Sequence, residues 1–153
     1  MRDALIAVYV RPEGAYINAS DRTTVGVWVG SGNWEFVPTD EPERIGEVIL
    51  RHAEAPPRVV RHPRRNKFST LWAEKTAPLL NLAGVKTWKA FAAAASLVHV
   101  ECGDATTVTP MRRDGRGFSS LADARVQVHE LDAEIIGVAV LRAAEIAMEH
   151  GAH

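Results

Sequence analysis

Two amphipathic segments of the chain repeat the same residues at the same spacing, and each copy has a glycine in its interior. The first copy contains Glu43, Ile45, Gly46, Leu50, Arg51, Ala53 and Glu54, and the second contains Glu134, Ile136, Gly137, Leu141, Arg142, Ala144 and Glu145. Glycine is about 1 kcal/mol less favourable than alanine inside a helix, so helix propensity does not explain its presence. A close approach of each helix to the β-sheet explains the glycine better. We therefore expect two helices that pack on a β-sheet through equivalent glycine contacts.

The helix boundaries follow from capping residues. Thr39 or Asp40 can cap a helix over 41–55, and Pro56 and Pro57 stop it. The second copy of the glycine-containing repeat predicts a helix over 132–150. Between them, 70–83 is compatible with a helix that Pro78 kinks or breaks and that Gly84 ends, and Thr87 can cap a further short helix.

Alternating apolar residues around turn signals predict three β-hairpins. The first joins 4–10 to 15–19, the second joins 25–29 to 34–37 across the turn 30–33, and the third joins 97–100 to 107–108. We interpret 112–117 as a basic loop. Residues 1–153 are then expected to form a single α+β domain with one mostly antiparallel β-sheet. Helices 41–55 and 132–150 pack on that sheet, and the middle helices cover an edge or the other face.

Composition sets the class of protein. The chain has 153 residues, is 46% hydrophobic and carries a formal net charge of -1. It contains one cysteine and no pattern typical of a signal peptide, so we expect a cytoplasmic protein. No apolar run approaches the ~20 residues of a membrane-spanning helix, so we do not expect the protein to act in a membrane. The near-neutral charge disfavours general nucleic-acid binding.

Motifs for catalysis are missing from the sequence. There is no G-x-S-x-G nucleophile elbow, the six histidines lack zinc-type spacing, and Cys102 is expected to be buried and inert, on the opposite face of its strand from His99. We predict no catalytic residue, no metal and no cofactor. A catalytic site assembled across the fold stays open as an alternative, and it requires a pocket with convergent titratable groups.

Charged segments and aromatic residues offer candidate binding surfaces instead. Asp40, Glu41, Glu43 and Glu47 form an acidic start to the first helix; capping and the helix dipole explain them, and a basic protein partner would also suit them. Trp34 lies beside a predicted turn, where its ring can be exposed. Two basic segments contain Arg58, Arg61, Arg64, Arg65 and Lys67, and Arg112, Arg113 and Arg116. If adjacent in space they could hold phosphates, with Trp72 or Phe118 stacking on a base.

Four stretches of the chain together resemble CdiI-type immunity proteins of bacterial contact-dependent growth inhibition systems. They are Val25-Gly26-Val27-Trp28-Val29-Gly30, the run from Asp40 through Ile45-Gly46-Glu47-Val48-Ile49-Leu50, Leu79-Leu80-Asn81-Leu82-Ala83-Gly84-Val85-Lys86-Thr87-Trp88, and Gly115-Arg116-Gly117-Phe118. The resemblance covers most of the chain from Val25 onward, and its glycine and tryptophan positions transfer a fold more directly than a binding site.

The resemblance implies a small α+β cytoplasmic protein that binds the C-terminal toxin domain of a CdiA-type effector and blocks it, often by covering a nuclease active site. In one branch of the family the toxin is a ribonuclease with an RNase A-like fold. On this interpretation Asp40, Glu41, Glu43, Glu47 and Trp34 are the candidate toxin-binding residues. The alternative is a nucleic-acid-binding accessory protein that uses the two basic segments.

Overall fold

One β-sheet organises the molecule. The computed structural model describes residues 3–55, 57–114 and 117–150. The strands are β1 (Ala4–Arg11), β2 (Gly14–Thr23), β3 (Trp28–Pro38), β4 (Val59–Val60), β5 (Ser96–Cys102), β6 (Thr106–Asp114), β7 (Gly117–Ser120) and β8 (Val126–Val128). Their order is β3-β2-β1-β5-β6-β7, with β8 paired to β6 and the short β4 paired to β2. Every pairing is antiparallel except that of β4 with β2.

Four α-helices cover the sheet. They are α1 (Pro42–Glu54), α2 (Phe68–Ala83), α3 (Trp88–Ala93) and α4 (Ala133–Glu149), and two 3-10 turns lie at Arg65–Lys67 and Ala122–Ala124. This arrangement confirms the predicted α+β class and the mostly antiparallel sheet. Gly84 ends α2 with a positive φ of 71°, and the Thr87 hydroxyl accepts a hydrogen bond from the Ala90 amide, as the capping residues predict. α2 runs through Pro78 without a break.

The second predicted hairpin is wrong. β3 is one continuous strand, and residues 30–33, which we expected to form a turn, lie inside it. β2 extends to Thr23, so the turn falls at 24–27, where Gly26 has a φ of 86° and its amide donates to the Thr23 carbonyl. A β-bulge between Asn18 and Ser20 absorbs the irregular residues of the longer pairing. Backbone pairing along the whole of β2 therefore outweighs the local turn chemistry of 30–33.

The predicted basic loop over 112–117 is also wrong. Arg112 and Arg113 belong to β6, where they pair with Ser119 and Phe118 of β7. Gly115 and Arg116 lie outside the described residues, as does Pro56 of the predicted stop to α1. The antiparallel pairing of β7 with β6 extends the sheet by one more strand.

The first face of the sheet carries α1 and α4. Alternate residues of the central strands point into this layer and meet the apolar faces of both helices. The buried cluster includes Ile6, Val8, Ile17, Val98, Val100, Ile45, Ile49, Ile136 and Val140. Ile135 and Met148 of α4 lie outside this layer, with exposed fractions of 42% and 61%. This aliphatic layer is the main hydrophobic core.

The two repeated glycines face each other's helix rather than the sheet. A Cβ atom on Gly46 would lie 1.7 Å from the Ala133 carbonyl oxygen, and a Cβ atom on Gly137 would lie 1.7 Å from the Pro42 carbonyl oxygen. Both helices do pack on the sheet, but the close approach is between the two helices. The contact is reciprocal, because each glycine meets the first residue of the other helix. The repeat thus records a pseudo-symmetric helix pair.

The second face carries α2 and α3, which settles the open alternative for the middle helices. Tyr16, Leu79 and Phe91 form a smaller buried cluster, joined by partly buried rings such as Tyr9 and Trp88. Arg11 fastens α3 to the sheet: its guanidinium lies over the Phe91 ring, 4.9 Å from the centroid, and donates to the Phe91 carbonyl oxygen. Aromatic side chains thus fill this layer, in contrast to the aliphatic first face.

Candidate functional site

A cavity of about 380 Å³ lies between α2 and the second face of the sheet. We name it the aromatic cavity, because six aromatic side chains line it: Tyr9, Trp28, Trp34, Phe68, Trp72 and Trp88. Asn18, Ser20, Lys75 and His99 supply polar groups. The cavity exists because α2 and α3 cover only part of this face.

Ring contacts fix the aromatic side chains in place. Tyr9 packs with Trp34 and Trp88 at centroid distances of 5.8 and 5.5 Å, and Trp72 meets Trp88 edge-on at 5.3 Å. The Trp34 indole N–H donates to the Lys75 carbonyl oxygen at 2.9 Å, and the Lys75 ammonium donates to the Ser31 carbonyl oxygen at 3.2 Å. Trp34 is therefore a half-buried wall of the cavity, on the other face of the sheet from α1.

Burial keeps two titratable groups of the cavity neutral at pH 7. It raises the pKa of Tyr9 to about 12. It also lowers the pKa of His99, against the opposing effect of the Glu101 carboxylate. In both cases the charged form is penalised by the loss of water. The phenol and the imidazole thus remain uncharged hydrogen-bonding groups.

A second cavity of about 400 Å³ adjoins the first and shares Leu5, Trp28 and His99 with it. Asp3 and Glu101 lie on its walls. Arg22 stacks over Trp28, with its guanidinium carbon 5.0 Å from the ring centroid. Asp3 and Glu101 outnumber Arg22 on the walls of this second cavity, which makes it unfavourable for an anion.

The first basic segment forms a pocket that adjoins the aromatic cavity at Leu71. This basic pocket, of about 500 Å³, is lined by Arg61, His62, Pro63, Arg64, Lys67, Thr70, Leu71 and Glu74. Leu71 also lines the aromatic cavity, and the His62 ring meets Phe68 edge-on at 5.3 Å. The structure therefore places this basic segment beside the cavity that Trp72 lines.

The two basic segments are not adjacent. Val59 of β4 pairs with Arg22, near the end of the sheet where Ala4, Cys102 and Thr106 pair. Arg113 lies further along β6, about 23 Å from Thr106 at ~3.3 Å per residue. Its guanidinium donates to the Ala92 carbonyl oxygen at 3.2 Å. Arg58 is bonded to Asp21 at 2.9 Å, and Arg65 lies in an exposed 3-10 turn. The start of the first segment and Arg113 therefore lie toward opposite ends of the strands.

The acidic residues at the start of α1 lie on the other side of the molecule. Glu41, not Thr39 or Asp40, is the N-cap residue, and its side chain makes no capping hydrogen bond; the predicted cap is wrong because Pro42 begins the helix. The Glu41 carboxylate instead pairs with Arg44 at 3.4 Å. Asp40, Glu43 and Glu47 are exposed.

The start of α4 adds to this charge. Because the reciprocal glycines hold the first turns of α1 and α4 together, Asp132 and Glu134 lie close to the α1 carboxylates. The Asp132 side chain caps α4 by accepting from the Ile135 amide at 3.0 Å. We define the acidic surface as Asp40, Glu41, Glu43, Glu47, Asp132 and Glu134. The repeated glycines were the sequence signal from which the proximity of the α1 and α4 carboxylates could have been predicted.

The groups expected to be inert are placed away from each other. Cys102 is buried on the first face, where burial raises the pKa of its thiol, whereas His99 lines the second face. Among the described residues, no group of three or more His, Cys, Asp or Glu is arranged to hold a metal ion. Within that same part of the chain, none of the helices is long and apolar enough to cross a membrane.

Comparison with known proteins gives structural matches alone. No protein-family model matches the chain. No curated protein matches it either. A protein of unknown function from Neisseria meningitidis superposes with a TM-score of 0.76 at 15% identity, over 94% of both chains. A chain of a CdiA-CT/CdiI toxin and immunity complex from Yersinia pseudotuberculosis superposes with a TM-score of 0.72 at 16% identity, over 96% of this chain and 98% of that one. These likenesses show that the chain shares its fold, over its whole length, with both proteins.

Proposed function

We propose that this protein is an immunity protein that binds the C-terminal toxin domain of a CdiA-type effector and neutralises it. The observation that carries the proposal is the end-to-end fold likeness to a chain of a toxin and immunity complex. The sequence resemblance to CdiI-type proteins points the same way. We further propose that the protein acts in the cytoplasm and is not an enzyme.

Neutralisation by binding requires a shaped and charged surface. The acidic surface supplies one, because its carboxylates are exposed and Arg44 is their one ion-paired cation among the described residues. A nuclease that binds a polyanion has a basic cleft, and complementary charge speeds encounter and orients the partner. We propose that the acidic surface contacts such a cleft and blocks the toxin's active site sterically. Trp34 stays a candidate contact whose place on the second face separates it from this surface.

The test is a calorimetric titration of the protein with the toxin domain encoded immediately upstream, carrying a substitution that silences its catalysis. We expect one-to-one binding with a nanomolar Kd, together with protection of cells that express the active toxin. Absence of binding to that toxin domain, by a protein whose thermal unfolding is cooperative, would contradict the immunity proposal.

The acidic surface is tested by the double variant Glu43→Lys/Glu47→Lys. The variant replaces two negative charges that attract a basic cleft with two positive charges that repel it. We therefore expect toxin binding to weaken at least tenfold, mainly through a slower association rate, and to depend less on salt. The matched control is Glu145→Lys/Glu149→Lys, which makes the same charge change at exposed positions near the other end of α4. Equal affinities of both variants and the wild type would remove the acidic surface from the mechanism.

A further inference from the structure

The aromatic cavity and the basic pocket share Leu71, and neither is part of the acidic surface. We propose that together they form a binding site for one nucleotide unit, with the base stacked in the aromatic cavity and the phosphate held in the basic pocket. This function is separate from toxin binding.

The aromatic cavity suits a nucleobase in size and in surface. Its volume of about 380 Å³ falls within the range of small-molecule sites. Trp72 at its mouth is 48% exposed, and the edge-on contact with Trp88 holds its ring in position. An exposed indole that is already ordered can stack on a base with little loss of side-chain entropy.

Three polar side chains in the cavity are available to the edge of a base. Within the described part of the chain, the hydroxyls of Tyr9 and Ser20 and the imidazole of His99 make no side-chain hydrogen bond. The phenol and the imidazole are neutral at pH 7, so they can donate to or accept from a neutral base without burying a charge.

The basic pocket suits a phosphate. Arg61, Arg64 and Lys67 line it, and none of the three forms an ion pair with another described residue. Glu74 is the single carboxylate on its walls, so the positive charges outnumber it. Guanidinium groups bind phosphate oxygens through paired hydrogen bonds. In the second cavity, by contrast, Asp3 and Glu101 outnumber Arg22, so its lining is less favourable to a phosphate.

The combination selects the ligand class. An aromatic cavity alone accepts many flat apolar molecules, and a basic pocket alone accepts any small anion. Because the two open on either side of Leu71, the matching ligand has a planar heterocycle and a phosphate within one nucleotide length. A free nucleoside monophosphate and a nucleotide of single-stranded RNA both have this chemistry.

Tryptophan fluorescence provides the direct test, because all four tryptophans line the aromatic cavity. The purified full chain is titrated with adenosine 5′-monophosphate, adenosine, inorganic phosphate and a short oligoadenylate RNA. We expect the monophosphate to quench the fluorescence and to bind at least tenfold more tightly than adenosine or phosphate. An RNA affinity similar to that of the monophosphate identifies free nucleotide as the source, and a much higher affinity that falls with salt identifies RNA.

Two variants separate the two halves of the site. Trp72→Ala should weaken binding of the monophosphate at least about fivefold, the lower limit for a base stacked on an aromatic ring. Arg64→Ala/Lys67→Ala should weaken the monophosphate but leave adenosine unchanged. Met148→Ala, at an exposed position on α4, is the matched control and should change neither affinity.

The proposal is overturned if the monophosphate neither quenches the fluorescence nor binds by calorimetry, or if phosphate alone binds as tightly as the monophosphate. It is also overturned if Trp72→Ala binds like the wild type while its thermal unfolding is unchanged. None of these outcomes bears on the toxin titration, so the two proposals fail independently.

Discussion

The two faces of the sheet are covered in different ways. On the first face, α1 and α4 lie so close that each glycine touches the other helix's backbone, and aliphatic side chains fill the layer beneath them. On the second face, α2 and α3 rest on large aromatic rings and leave a cavity. Small residues allow backbones to meet, whereas rigid rings hold elements apart. The difference gives the first face its tightly packed helix pair and leaves a ligand-sized cavity on the second.

The largest expected effect is at the helix contact. Gly46→Ala places a Cβ atom against the Ala133 carbonyl, which cannot move without displacing α4. The same substitution in an unconstrained helix is stabilising by about 1 kcal/mol. Here we expect a loss of at least ~3 kcal/mol in the free energy of unfolding, measured by urea denaturation. Gly137→Ala should lose a similar amount because the contact is reciprocal. A gain in stability from either variant would disprove the close helix contact.

A smaller loss of stability is expected at Arg11, which binds α3 to the second face of the sheet. Arg11→Met removes the charged donor to the Phe91 carbonyl and the cation over the Phe91 ring. We expect a loss of about 2 kcal/mol, from one charge-assisted hydrogen bond and one cation–π contact. Arg44→Met is the control: its exposed ion pair with Glu41 should contribute less than about 0.5 kcal/mol. If the two variants are equally stable, Arg11 is not an anchor of α3.

The smallest expected effect is a pH dependence from His99. Burial lowers its pKa in the folded state below the ordinary value of 6.5, so protons bind the unfolded state more readily. This contribution to stability is therefore complete above pH 6.5 and is lost as the pH falls through the folded pKa. Urea midpoints at pH 7.5 and 5.5 should differ by less in His99→Gln than in the wild type. Burial also lowers the pKa of His52, but this residue is present in both proteins, so its contribution cancels in the comparison. An unchanged difference would mean that His99 is solvated in the fold.

The sequence predicted local structure best where a local rule applied. The first hairpin, the presence of helices α1 and α4, and the caps at Gly84 and Thr87 depend on neighbours in the chain, and the structure confirms them. The sequence failed at the cap of α1 and at β3, where residues 30–33 have turn chemistry but lie inside a strand that pairs with β2 before and after the β-bulge. The strength of that pairing is not a local property. Of the candidate sites, the sequence identified the acidic residues of α1, the two tryptophans Trp34 and Trp72, and the first basic segment. It did not identify Asp132 and Glu134 of the acidic surface, or Tyr9 and His99 of the aromatic cavity.

Residue patterns alone thus determined the α+β class, the amphipathic helices and the existence of two backbone contacts that require glycine. Tertiary structure decided what those glycines touch, which helices share a face, and that Trp34 and Trp72 line one cavity beside Arg61, Arg64 and Lys67. The physical reason is the distance along the chain over which each interaction acts. Propensity, capping and periodicity act within a few residues, whereas packing between distant segments depends on shapes that exist only once the sheet has formed.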